Sequence, residues 1–242
     1  MNPRLAGLLS HLGRRFVRPP VHPALAAHQA AQAGREAGAR LGDLEFVVLD
    51  TELTGFDPKC DAIVSVAAVR LRGLSIMAGE TFAALIRPQR DVPRQSSLVH
   101  GLTASALSQA ADLDAVLRGL LHFIGPAVII GHHVDLDMAF CNAASRRLLG
   151  GELAAPCIDT LRLAMAYEEK RLSPEGGAGL EHAAFDLPSL CRRYGLPEFA
   201  AHDARHDALA AAYLFIYLAK KLGRGRALTL PDLWRSGRHW WM

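Results

Sequence analysis

Glu45-Phe46-Val47-Val48-Leu49-Asp50-Thr51-Glu52-Leu53-Thr54-Gly55 decides the architecture: an apolar, β-branched run passes abruptly into acids and then a Thr-Gly turn. Residues 45–50 have the length and composition of a buried strand, and residues 63–71 and 80–86 read as two more. The connections 55–61 and 72–79 carry Gly, Pro and Asp and are turn-like, so the three strands form an antiparallel meander. Downstream, Thr103 can cap a short helix. Asp112 caps a longer one, in which Leu113, Val116, Leu117, Leu120, Leu121 and Ile124 recur at helical spacing until Gly125-Pro126 stops it.

Residues 127–131 form a further buried strand, followed by a helix over 135–149 with Leu136, Phe140, Ala143 and Ala144 on one side. Ile158 centres a last short strand, and Asp159 or Thr160 starts a helix reaching about Arg171. Residues 173–179 read as a mobile Gly-rich loop. Helices over 187–194, stopped by Gly195, and over 204–222 complete the chain's body. Strands first, then alternating helix and strand, then helices: this order predicts an α/β domain, a mixed sheet covered by helices.

Composition narrows the class. The chain has 242 residues, half of them hydrophobic and 21% charged, which excludes a disordered polymer and allows one large domain with extensions or two small ones. The longest apolar run, residues 208–219, falls well short of the roughly 20 needed to cross a bilayer, so no membrane partner is expected. Cys60, Cys141, Cys157 and Cys191 lie too far apart for a zinc ribbon or a disulfide framework, and the expected location is the reducing cytoplasm.

The formal charge is only +3. Residues 1–43 hold six arginines against Glu36 and Asp43, leaving 21 basic and 22 acidic residues for everything after them. The body is therefore no basic glove, and a polyanion must be met by local positive charge or by bound cations. Residues 1–43 read as an Ala/Arg-rich extension with no helix that demands a core and no secretory signal, 44–224 as the main domain, and 225–242 as a Trp-containing tail.

Three segments carry chemistry. Asp50 and Glu52 alternate with Thr51 and project from one face of their strand. Two carboxylates about 4 Å apart repel by roughly 4 kcal/mol at an effective dielectric near 20, a cost that a cation resolves; the plainer alternative is a solvated strand end. Gly131-His132-His133-Val134-Asp135-Leu136-Asp137 leads from the next buried strand into a helix, at the carboxyl edge where open α/β sheets place ligands. There Asp135 or Asp137 could equally serve the helix dipole alone. In His202-Asp203-Ala204-Arg205-His206-Asp207, His202 and Asp207 would lie about 140° apart on a continuous helix. His202 is therefore placed in the preceding loop, Asp203 as the cap, and His206 as a partly exposed helix residue. An ordinary acidic helix start is the plainer reading of that segment.

Together, the hard oxygen ligands and the absence of a thiolate cluster point to two divalent cations, Mg²⁺ or Mn²⁺, whose +4 charge four carboxylates would balance. Such a pair suits in-line phosphoryl displacement, with His202 as general base because its unperturbed pKa lies near physiological pH.

With these motifs in order, residues 44–222 resemble the DEDDh-type 3′-to-5′ exonucleases, the family of the proofreading epsilon subunit of bacterial DNA polymerase III. Asp50-x-Glu52 with Thr54-Gly55, the Gly131–Asp137 stretch and His202-x4-Asp207 carry the resemblance. Ile63-Val64-Ser65, Val99-His100-Gly101-Leu102-Thr103 and Ile158-Asp159-Thr160-Leu161 add to it. It implies an RNase H-like, mixed five-stranded sheet and stepwise release of nucleoside 5′-monophosphates from single-stranded 3′ ends, DNA favoured, with a DNA polymerase subunit as a partner. By position, Asp50, Glu52, Asp137 and Asp207 would bind metal, His202 would deprotonate water, and Thr54, Gly55 and His100 would approach the terminal nucleotide. Leu53, His133 and Leu136 depart from the family's common residues without removing a ligand.

Rival readings are an exoribonuclease of short RNA, a helical HD-type phosphohydrolase built on His206-Asp207, and a non-catalytic binding module on the same fold. The β-rich start argues against the second, and the presence of all five reactive side chains against the third. In the tail, Trp234, Trp240 and Trp241 could stack on bases, but folding back over an apolar patch is the favoured reading.

Overall fold

A computed structural model describes residues 20–34, 38–90, 92–172 and 184–237. Five strands, β1 (Glu45–Leu53), β2 (Ile63–Arg72), β3 (Ser75–Leu85), β4 (Val128–Gly131) and β5 (Cys157–Asp159), form one sheet in the order β3-β2-β1-β4-β5. The β1–β2 and β2–β3 pairs are antiparallel; β1–β4 and β4–β5 are parallel. The helices are α1 (Pro23–Ala33), α2 (Arg94–His100), α3 (Ala104–Ser108), α4 (Leu113–Ile124), α5 (Val134–Leu148), α6 (Thr160–Leu172), α7 (Leu187–Tyr194), α8 (Ala204–Gly223) and α9 (Leu230–Gly237).

β1 is central and buried on both faces, so its apolar side chains serve two cores by strict alternation. Phe46 and Val48 enter the cluster with Leu214, Phe215 and Leu218 of α8, the two phenylalanine rings 5.3 Å apart. Val47 and Leu49 enter the other, with Leu117, Leu120 and Leu121 of α4 and Phe140 of α5. This parity carries on to Asp50, Thr51 and Glu52 and fixes which layer each one meets.

Three expectations change in the structure. First, β3 begins at Ser75, not at 80, and the turn is only Gly73-Leu74. Gly73 has φ +55°, and a Cβ there would lie 2.9 Å from the Gly42 carbonyl oxygen. Gly79 marks an irregularity, not the hairpin turn: β2 register jumps from Val69 opposite Thr81 to Arg70 opposite Met77. Second, Asp112 occupies the cap position of α4 without capping it, its carboxylate pairing with Arg87 instead.

Third, residues 1–43 do contain a helix that demands a core. His22 Nδ1 accepts from Ala24 N to cap α1, Leu25 is fully buried in the second cluster, and Gln32 Nε2 donates to the Gly125 and Ala127 carbonyls. The alanine-rich composition hides this, because one leucine and side-chain amides do the docking. Leu25→Ala is expected to destabilise the whole domain by about 2–5 kcal/mol, read as a lowered urea midpoint with unchanged slope. A midpoint within error of wild type would detach α1 from the core.

At the other end, α9 buries Leu230 and Leu233 in the first cluster, and Trp234 Nε1 donates to the Cys157 carbonyl on the outer edge of β5. This part of the tail folds back; Trp240, Trp241 and the 173–179 loop lie outside the described residues. Among the described residues no helix is long and apolar enough to cross a membrane.

Candidate active site

Asp50 and Glu52 continue the Phe46–Val48 face of β1 and therefore meet α8. That helix starts at Ala204 because Asp203 caps it, accepting from the backbone of Arg205 and His206. Asp207 then falls in its first turn, and Asp50, Glu52 and Asp207 each place a carboxylate oxygen within 4.8 Å of the others. Thr51 points to the opposite layer, where its hydroxyl donates to Asp137 Oδ1 in the first turn of α5. Asp137 is not part of the tight trio. It approaches from the other face and is the foremost charged influence on Asp50.

Burial and mutual repulsion govern these acids. Burial first, then Asp137, Asp207 and Glu52, raises the Asp50 carboxyl well above its ordinary range. Glu52 is pushed up to about 7, by burial and then by Asp207. Asp137 also reaches about 7 through burial, opposed by the Thr51 hydrogen bond. Asp207 is raised by burial against the stabilising backbone N–H of His202.

An acid whose pKa rises on folding binds its proton more tightly in the folded state, so it favours folding while protonated. That contribution is complete below the unfolded value near 4 and is lost as pH climbs toward 7 and beyond. In EDTA the melting temperature is expected to fall from pH 5 to pH 8, with Mn²⁺ restoring it at the upper end. A flat or rising profile without metal would contradict the electrostatic picture.

His202 lies in the loop before α8 with φ +63°, a left-handed conformation uncommon for a side chain of this size. Its backbone N–H donates to Asp207 Oδ2 at 2.9 Å, tying the loop to the trio. The residue is exposed and, with Glu52, Ser65, His100 and Leu102, lines a cleft of about 170 Å³. His100 is nine-tenths buried at the end of α2. Its Nδ1 accepts from Leu102 N at 3.0 Å, which leaves the proton on Nε2, and that atom has no partner among the described residues. Burial, then the His202 imidazole, holds the His100 pKa below its ordinary value.

Thr54 and Gly55 form the loop after β1. Thr54 Oγ1 accepts from Ala62 N at 2.9 Å and lies 3.3 Å from Asp61 Oδ1, while Asp57 N donates to Asp61 Oδ2. A Cβ on Gly55 would sit 2.4 Å from the Asp61 carboxylate, so any side chain there would push Asp61 from its place in the loop.

Sequence reasoning missed Asp61, whose place among Pro and Lys in a turn looks like a solvated acid. It gave Asp159 no role beyond a place in the family-like stretch 158–161; Asp159 accepts from His133 N and Leu161 N and so ties the end of β5 to the left-handed start of α5 that aims Asp137. His132 is structural: Nε2 faces the Phe185 carbonyl, Nδ1 faces Thr160 Oγ1, and burial lowers its pKa to about 4.

A mixed β3-β2-β1-β4-β5 sheet with carboxylates gathered at the end of its central strand is the architecture of RNase H-like exonucleases. The chain belongs to the RNase T exonuclease family, whose model matches residues 47–215, a span that includes every acid of the site, His100 and His202. DNA polymerase III PolC-type of Thermotoga maritima is 32% identical over 185 residues, covering 75% of this chain but 12% of that protein. DNA polymerase III subunit epsilon of Aquifex aeolicus is 30% identical over 180 residues, covering 74% of this chain and 83% of the relative. The chain thus spans only a small part of the PolC-type relative.

Among solved structures, E. coli Exonuclease I in complex with a dT13 oligonucleotide shares the fold with a TM-score of 0.64 at 20% identity, over 75% of this chain and 42% of that one. Exonuclease X in complex with 5′ overhanging duplex DNA does so with a TM-score of 0.58 at 22% identity, over 79% of this chain and 99% of that one.

Proposed function

We propose that this exonuclease removes nucleoside 5′-monophosphates stepwise from the 3′ end of single-stranded nucleic acid, DNA in preference to RNA. The observation that carries the reading is the convergence of Asp50, Glu52 and Asp207 from β1 and α8, with Asp137 alongside and His202 anchored to Asp207. Oxygen-only ligands with raised pKa values fit hard divalent ions, Mg²⁺ or Mn²⁺, held by Asp50, Glu52, Asp137 and Asp207. Bound there, two such ions would neutralise the acids and supply Lewis acidity to the phosphoryl group.

The chain's own side chains have separate tasks. His202, exposed at the cleft and outside the trio, takes a proton from the attacking water as its oxygen bonds to phosphorus. The bond to the 3′ oxygen breaks, and that oxygen leaves with a proton as a 3′-hydroxyl. The unpartnered Nε2–H of His100 is a donor for the terminal nucleotide, and the Asp61-braced Thr54-Gly55 backbone forms its wall. The curated relatives are DNA polymerase III proteins, which supports a polymerase partner and a cytoplasmic, proofreading setting.

Side-by-side digestion of 3′-labelled and 5′-labelled single-stranded DNA, mismatched duplex and short RNA with Mn²⁺ tests the reading. The 3′ label is expected to appear at once as mononucleotide while 5′-labelled strands shorten progressively, DNA ahead of RNA. Loss of the 5′ label first would reverse the polarity, and a short-RNA preference would move the assignment to RNA turnover.

A further inference from the structure

We propose that the seam between α8 and the β2–β3 edge is the track for the strand upstream of the scissile bond, with Arg205 as its phosphate clamp. The proposal rests on the nuclease reading of the adjacent acids. A groove of about 610 Å³ runs along this seam, lined by Val69, Ile76, Phe82, Leu209 and Tyr213 among others, with no carboxylate among its lining residues. It continues the cleft that holds Glu52, His100 and His202, because Ala83 and Arg205 line both. A strand whose 3′ end lies at the trio therefore finds an acid-free channel at the mouth of the acidic one.

Arg205 marks the junction. It sits in the first turn of α8, where the helix dipole disfavours a cation, and its exposed guanidinium has no ion pair or side-chain hydrogen bond among the described residues. A charge placed against its local field and left unpaired is available to an anion. Since the body after residue 43 has slightly more acids than bases, one well-placed guanidinium counts.

His206 and Tyr213 line the groove, and Phe199, outside its lining, stacks between them and holds both rings, with centroids 6.0 and 6.1 Å away and ring planes within 23° of parallel. Two helical turns separate His206 from Tyr213, so the two lining rings stand about 10 Å apart along the helix. Flat rings beside a phosphate-binding cation form a sequence-tolerant platform for single-stranded bases. In the connected cleft, the buried Nε2 of His100, without a partner among the described residues, is the donor already assigned to the terminal nucleotide, so the groove leads away from the end of the strand that the site holds.

The test is equilibrium binding of a fluorescent ten-nucleotide oligo(dT) and of a dinucleotide, in Ca²⁺ and over a range of salt. Arg205→Glu is expected to weaken the ten-mer about tenfold, the worth of one charge-assisted contact, and to leave the dinucleotide within twofold. The salt slope for the ten-mer should shrink by about 0.7, and Arg205→Lys should recover most of the affinity. An unchanged ten-mer affinity would overturn the proposal and leave the groove to a polypeptide. Equal weakening of both probes, or a wild-type protein that does not bind the ten-mer, would also overturn it. Mn²⁺-dependent hydrolysis of the same strands is read in parallel: strand binding through Arg205 without hydrolysis would defeat the nuclease reading alone.

Discussion

Asp50→Asn is expected to abolish Mn²⁺-dependent degradation, at least a thousandfold by rate, while raising the melting temperature of the metal-free protein. Both signs come from one position. Asp50 stands between the α8 layer, which brings Asp207, and the α5 layer, which brings Asp137, and both carboxylates raise its pKa. Without metal the amide keeps the shape and removes one charge from a repelling set, a relief of about 1–2 kcal/mol after solvent screening. For a domain of this size that is a rise of a few degrees. With metal, the same change removes a ligand. Retained activity would withdraw the metal role, and a lower melting point in EDTA would withdraw the repulsion.

His202→Ala is expected to lower kcat by about 10²-fold or more, the usual worth of a general base, with the Mn²⁺-induced rise in melting temperature unchanged. The separation is structural: the imidazole is outside the trio, and the hydrogen bond that ties His202 to Asp207 comes from its backbone N–H, which both variants keep. Alanine at φ +63° is strained, so His202→Asn serves as the second variant, since asparagine tolerates that conformation. Unchanged rates in the asparagine variant would reject the base, and loss of the Mn²⁺ shift in both would move His202 into ligand positioning.

What could be read from the chain was what is written locally. The alternation of Asp50, Thr51 and Glu52, the helical spacing that ends at Gly125, and the capping of α8 by Asp203 are short-range patterns, and the structure has them where the patterns place them. Ser75–Gly79 failed because it lies between Gly73 and Gly79, and glycine looks alike in a turn and in an irregular edge strand. α1 failed because its docking depends on the Gly125 and Ala127 carbonyls, more than 90 residues away. In the site, Asp50 and Glu52 could be paired from the strand alone. The bonds from the Thr51 hydroxyl to Asp137 and from His133 N to Asp159 are contacts across the fold, and the brace of Asp61 against Gly55 belongs to an irregular loop, so no spacing rule announces them.

The two-sided character of β1 sets a limit on how this protein can change. Deleting or inserting one residue between Phe46 and Asp50 would turn Asp50 and Glu52 toward α5 and Thr51 toward α8, exchanging the occupants of two interiors while every atom of the chemistry stayed present. This segment works as a ruler, and its length in whole residues is as much a requirement of activity as the acids it carries.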